Sequence, residues 1–318
     1  MHNNSMEKVF KSTDELIAIL EEKGLSFSQK QRAKRLLNEN NYYCITAYKN
    51  LFYKKGERVY KDCVDFEDLY AVYSFDKALK TTILKHLLFI EQKIKTALSN
   101  QISIKYGVDE KKYLRTANFD QTSPFLQENL TKIRKQARKF GSKNTAVRHY
   151  KDKHGFIPFW VLSKCLTMGV IRDFLYILKP TDQNIIIDNL LEKKITVKPV
   201  KKAKSMIALF ADVRNMCAHD EMLSSYVHER ITIPPLPEHD FIKCKRTNSG
   251  ELIQGRSDIL ALIICIKYFV NRTMYNEFIQ NISSCINRCY NKISHCISKD
   301  EFLNYIGLSE DYESLKVF

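Results

Sequence analysis

From Glu57 to Tyr106 the chain runs without a single glycine or proline. These two residues interrupt helices most strongly, one through backbone freedom and the other through its missing N–H. Inside the run, Leu84, Leu87, Leu88, Glu91, Ile94 and Leu98 recur at helical spacing. Asp65 is placed to cap a long helical segment reaching toward Tyr106, unbroken or broken once. The whole chain has only 9 glycines and 7 prolines among 318 residues, and 44% of it is hydrophobic. It is therefore read as an all-α protein with a sizeable core. Glu91 is the odd member of the stripe, a charge on an apolar face that requires a partner. Lys95 could supply it in a structural salt bridge. Alternatively, Glu91 could steady Arg214 or His219 far along the chain.

The rest divides at its breakers into an N-terminal helical region (1–62), a helical core with a basic segment (63–230), and a loop with a C-terminal helical extension (231–318). Residues 1–11 are polar and expected to be loose. Ser12 or Thr13 caps a helix holding Ile17 and Leu20, which Gly24 stops. Ser28 is placed to cap the next, and Tyr42 to Phe52 reads as a third short helix. Tyr42, Tyr43 and Tyr48 suit either core packing or stacking on RNA bases. A helix from Ser123 to Phe140 is expected to end at Gly141-Ser142. Another runs from Trp160 to Leu178, where mid-helix Gly169 implies the close approach of a neighbouring helix. Pro180 separates it from the next helix. Pro199 opens a helix with a buried stripe of Met206, Ile207, Phe210, Val213 and Cys217. Pro234-Pro235-Leu236-Pro237 marks a loop. Ser257 then caps an apolar helix, Ile259 to Val270, and a last helix carries Ile282, Ile286, Tyr290 and Ile293.

The net charge of +15 is concentrated. Between Lys132 and Lys204, 18 lysines and arginines face 5 acidic residues, a surplus of 13. Lys132, Arg134, Lys135, Arg138 and Lys139 lie on one helix, and Lys201, Lys202 and Lys204 open another. Such asymmetry points to a polyanion, with nucleic acid favoured over an anionic membrane surface. A solvated lysine face is the plain alternative. No apolar run reaches the ~18 residues of a membrane span, and residues 1–11 lack the apolar centre of a signal peptide. Nine scattered cysteines suit free thiols in a reducing, cytoplasmic setting. Cys285, Cys289, His295 and Cys296 raise the question of zinc, but their spacing matches no common site on what reads as one helix, so no metal or other cofactor is expected. There is no internal repeat, phosphate-binding glycine loop, metalloprotease motif or serine-hydrolase elbow.

The most chemically suggestive stretch is Arg214-Asn215-Met216-Cys217-Ala218-His219. Arginine forks phosphate oxygens, histidine moves protons near neutral pH, and asparagine can orient either. On a straight helix Asn215 and His219 share a face, but Arg214 lies about 140° from His219. A frayed helix end, the long arginine stem or a second copy of the chain must bring them together. The last option implies a site shared across a homodimer. The bland alternative is a helix end where His219 caps carbonyls and Arg214 makes a salt bridge.

The R-N-x-C-A-H run resembles the R-x4-6-H motif of HEPN domains, all-α domains of RNA-cleaving toxins and defence proteins. Three further stretches precede it in order. They are Gly24-Leu25 through Asn40-Asn41-Tyr42-Tyr43 to Ala47-Tyr48, Phe89-Ile90-Glu91-Gln92-Lys93-Ile94-Lys95, and Pro158-Phe159-Trp160-Val161 with Met168-Gly169. Together they resemble the bacterial abortive-infection family of the AbiD and AbiF type, over roughly residues 12–230. Where that pattern often has arginine, this chain holds Cys44 and Lys95. The resemblance implies a HEPN-like helical bundle with added N- and C-terminal helices. It also implies a phage-defence role as a metal-independent endoribonuclease. Arg214, Asn215, His219 and Glu91 would form the catalytic group, and the basic helices would hold RNA. Two alternatives remain: a non-catalytic module that holds a structured non-coding RNA, and an interaction protein without RNA affinity.

Overall fold

In the computed structural model, residues 10–143, 145–219 and 221–317 are described, so most of the segment expected to be loose lies outside them. The helices are α1 (Thr13–Glu22), α2 (Lys30–Glu39), α3 (Tyr42–Thr46), α4 (Phe66–Tyr106), α5 (Glu110–Tyr113), α6 (Leu126–Lys143), α7 (Thr145–His154) and α8 (Phe159–Leu162). They continue with α9 (Met168–Ile177), α10 (Pro180–Leu190), α11 (Pro199–Ala218), α12 (Pro237–Phe241), α13 (Ile259–Ile266), α14 (Arg272–Ile293) and α15 (Lys299–Tyr305). Short 3-10 turns join some of them, and the only β-structure among the described residues is isolated bridges. Among the described residues no helix is long and apolar enough to cross a membrane.

The breaker-free run forms one unbroken helix of 41 residues, about 60 Å long at 1.5 Å per residue. Asp65 caps it as expected. One carboxylate oxygen accepts from the N–H of Glu67 at 3.0 Å, and Asp68 returns the favour to the N–H of Asp65 at 2.9 Å. The other Asp65 oxygen takes the N–H of Ser28 at 2.7 Å. Ser28 is thus held by α4 and does not cap α2, whose start at Gln29 has no side-chain cap.

The apolar stripe is rotated from the expected one. Ile83, Leu87, Ile90, Ile94, Leu98 and Ile102 are fully buried, whereas Leu88 is 46% exposed. The buried arc is set by the neighbours on several sides, namely α3, α8, α9, α10, α11 and α14. The α14 helix lies antiparallel along α4. Lys85 meets Glu277 at 2.8 Å, and Asp68 meets His295 at 3.3 Å toward the other end. At the C-terminal end of α4, Gln101, Lys105 and Tyr106 all donate to the buried carboxylate of Asp182 on α10, each at 2.7 Å.

Two helix ends differ from expectation. Gly141-Ser142 does not stop α6, which continues to Lys143. The missing Cβ of Gly141 instead leaves room for the Lys151 side chain of α7, 3.3 Å from where that atom would sit. The expected Trp160–Leu178 helix is broken. Leu166 is extended, and the Thr167 hydroxyl accepts from the Val170 N–H to restart the chain as α9. Gly169 lies in that first turn with nothing within 4 Å of its missing Cβ, so it marks no close helix contact. In the C-terminal part, Asp258, not Ser257, caps α13, whose side chains are all buried.

Burial by itself would raise the Asp182 pKa, but the hydrogen bonds from Lys105, Tyr106 and Gln101 outweigh it and hold the carboxyl below its ordinary value. A lowered folded-state pKa contributes stability that is complete above the unfolded-state pKa of about 3.9 and is lost as pH falls through the folded value. Asp182→Asn should therefore lower the urea midpoint most near neutral pH. The gap from wild type should narrow toward about pH 3; a gap that stays constant across the range would remove this linkage.

Candidate active site and basic surface

The α11 helix starts with Pro199 in its first turn, after Lys198 in a left-handed conformation (φ 49°). Ala203, Met206, Ile207, Phe210 and Val213 turn inward and fix its rotation against the core. The helix ends at Ala218. His219 is extended (φ −115°, ψ 170°), its N–H bonded to the carbonyl of Met216 at 3.1 Å. Helical spacing therefore does not govern where the exposed imidazole points. No glycine causes this exit. A buried carboxylate helps set the path beyond it: Asp76 of α4 accepts the N–H groups of Leu223 and Ser224 at 3.0 and 2.6 Å. Lys80 stands 3.0 Å from the other oxygen of Asp76.

Glu91 resolves the alternatives posed by the sequence by taking two partners at once. It is 7% exposed. One oxygen accepts from the Lys95 ammonium at 2.7 Å, and the other accepts from Nε of Arg214 at 3.2 Å. No contact links Glu91 to His219 among the described residues. Arg214 is half-buried, and no hydrogen bond of its terminal amino groups is made among the described residues. The bond through Nε fixes the guanidinium plane. Asn215 is exposed. Cys217, inside the motif, is no nucleophile at neutral pH, because burial pushes its thiol up to about 12.

Two features beside the motif escaped the sequence reading. Asp76 was signalled in the same way as Glu91, as a charge within an apolar helix face. The group of Asp212, Tyr226 and His228 carried no sequence signal. The Tyr226 hydroxyl donates to Asp212 at 2.8 Å, and His228 Nε2 stands 3.7 Å from the same oxygen. His228 Nδ1 accepts from the N–H groups of Arg230 and Ile231. That assigns its proton to Nε2, facing Asp212, and makes this imidazole a fastener for the chain after the motif.

The expected cations are not equivalent. Lys135, Arg138, Lys139 and Lys201 are exposed. Arg134 turns inward and donates to the Leu114 carbonyl at 2.6 Å and to Thr116 at 3.2 Å, joining segments of the chain. Lys132 faces Asp173 of α9 at 3.5 Å, and Lys202 reaches the Pro235 carbonyl. Lys204 lies over the Tyr176 ring, 5.1 Å from its centre. Burial lowers its pKa. Lys198, Lys201, Lys204 and Arg230 line a cleft of about 780 Å³ with Tyr176 and Asn184. Among the tyrosines, Tyr48 is buried in the core, while Tyr43 is 76% exposed.

The four residues considered for zinc do not converge. Cys285 and Cys289 are buried on α14, while His295 and Cys296 lie beyond its end. None of the nine cysteines is in a disulfide.

Against known families, residues 35–225 match the model of the Abi-like protein family. The chain belongs to the Abi-like family. The match includes α4, Glu91 and the whole of Arg214 to His219, while the Gly24-Leu25 stretch falls outside it. No curated protein and no solved structure matches significantly. Membership of the Abi-like family points to abortive-infection phage defence.

Removing one partner from a buried ion group leaves the others uncompensated. Glu91→Ala should lower the unfolding free energy by about 3–5 kcal/mol, and Glu91→Gln combined with Lys95→Met should recover most of that loss. Urea denaturation measures both; a loss for Glu91→Ala of less than about 1 kcal/mol would show that the carboxylate is dispensable to the fold.

Proposed function

We propose that this Abi-like protein is a metal-independent endoribonuclease of the HEPN type, close to the AbiD and AbiF subtype. The observation that carries the reading is the pairing of an anchored guanidinium with an imidazole released from its helix. Glu91 fixes Arg214 through Nε and leaves the terminal amino groups for a phosphate. His219 is exposed immediately after the end of the same helix.

In the proposed reaction His219 removes the proton of an RNA 2′-hydroxyl. The 2′-oxygen attacks the adjacent phosphorus, and Arg214 stabilises the charge growing on the non-bridging oxygens. The bond from phosphorus to the 5′-oxygen breaks, and that oxygen takes a proton. The products are a 2′,3′-cyclic phosphate and a 5′-hydroxyl. Asn215 orients the imidazole or the phosphate. Lys135, Arg138, Lys139 and Lys201 carry the flanking RNA through phosphate contacts. A homodimer completes the site, with Arg214 of one copy acting beside His219 of the other.

His219→Ala should abolish cleavage of RNA in chelator while RNA binding, followed by gel shift, persists. Mixing inactive Arg214→Ala and His219→Ala chains tests the sharing. A shared site regains activity because one of the two composite sites in each mixed dimer has both residues. If the mixture stays inactive although mass analysis confirms mixed dimers, sharing is wrong. If His219→Ala alone cleaves like wild type, the chemistry is wrong.

One observation favours the non-catalytic reading. The basic cleft lies at the N-terminal end of α11, and Lys204 is ten residues before Arg214, about 15 Å along the helix. A structured non-coding RNA seated there need not meet the motif. Nucleic acid extracted from the purified protein separates the two. A single intact RNA supports a scaffold role, and fragments with cyclic-phosphate ends support the enzyme.

A further inference from the structure

Far from the motif, the first turn of α4 meets the segment that follows α14. Asp68 is 4% exposed, and its Oδ2 lies 3.3 Å from Nε2 of His295. The Cys296 thiol completes a group whose three donor atoms all lie within 4.8 Å of one another. The Cys296 thiol also donates to the Ile293 carbonyl at 3.3 Å. The sequence separates Asp68 from His295 and Cys296 by more than 200 residues, so no motif spacing could announce them.

We propose that Asp68, His295 and Cys296 bind a zinc-class divalent cation, with water in the fourth position. The donor set is one carboxylate oxygen, one imidazole nitrogen and one sulfur, which suits a borderline-soft ion. Bond lengths of about 2.0–2.3 Å in a tetrahedron place neighbouring donors about 3.3–3.8 Å apart. The separation of Asp68 and His295 matches such an edge and is long for an imidazole–carboxylate hydrogen bond. Asp68 Oδ2 also accepts the N–H of Asp65 at 2.9 Å, which orients the carboxylate as supporting bonds do around metal ligands. His295 is exposed and gives the ion a way in. The bound cation clips the start of α4 to the chain leaving α14. Asp68 and Glu91 are 23 residues apart on α4, about 35 Å along the axis, so the clip is structural and separate from the proposed RNA chemistry.

Full-length protein, purified with chelator and a phosphine reductant and then freed of chelator, is titrated with Co²⁺ alone. The expected result is one Co²⁺ per chain, with the visible bands of four-coordinate cobalt, a near-ultraviolet thiolate band, and displacement by Zn²⁺. His295→Ala and Cys296→Ser should each weaken binding by about 10-fold or more. Because His295 is exposed, His295→Ala should keep the wild-type far-ultraviolet circular dichroism of the metal-free protein, so its loss of cobalt reports on the site. Absence of a stoichiometric cobalt spectrum in the wild type would overturn the site, as would an unchanged spectrum in His295→Ala.

Discussion

A carboxylate enclosed in a helical bundle must find a cation or a set of N–H groups, because an uncompensated buried charge costs several kcal/mol. The central helix carries three such groups in Asp68, Asp76 and Glu91, all buried. Each is satisfied by a different part of the chain. Asp68 meets His295 after α14, Asp76 takes two backbone N–H groups after α11, and Glu91 holds Arg214 within α11. Apolar packing alone would tolerate some sliding of these neighbours along a smooth 41-residue rod. The carboxylates help set register, because each has a distant partner as well as a local one.

Two of these carboxylates bracket the motif. Glu91 holds one side of it through a side chain, and Asp76 holds the chain after it through the backbone. Between them the helix ends, and His219 is exposed without a hydrogen bond to its imidazole among the described residues. The result is a guanidinium held by Glu91 and, five residues on, an exposed imidazole beyond the helix end. Lys95 contributes by sharing Glu91, so the carboxylate faces two cations. The Asp212–Tyr226–His228 group extends the same logic beyond the motif, with a second histidine engaged in holding the chain.

Much of this was legible in the residues. The breaker-free run and Asp65 gave α4, and Pro199 with the apolar spacing gave α11. Glu91 stood out because a charge on an apolar face needs an explanation; of the three partners considered, Lys95 and Arg214 meet it and His219 does not. Errors came where local signals competed with contacts from elsewhere. Gly141 looked like a stop, yet it accommodates Lys151 across an inter-helix contact. Leu88 looked buried, yet the neighbours of α4 enclose a different arc. Thr167 restarts a helix that apolar content alone made continuous.

The sequence by itself determined the all-α class, the span of the central helical segment though not its continuity, the concentration of positive charge and the residues worth suspecting. These follow from short-range physics: helix propensity, capping and the 3.6-residue period act within a few neighbours and can be read in order. Only the tertiary structure decided that Glu91 serves Lys95 and Arg214 together, that Arg134 faces inward, and that Asp68 meets His295 and Cys296. Those outcomes depend on which distant segments share a helix face once the core has closed. Burial turns a charge into a demand for a partner, and the packing of the whole chain determines which partner is within reach.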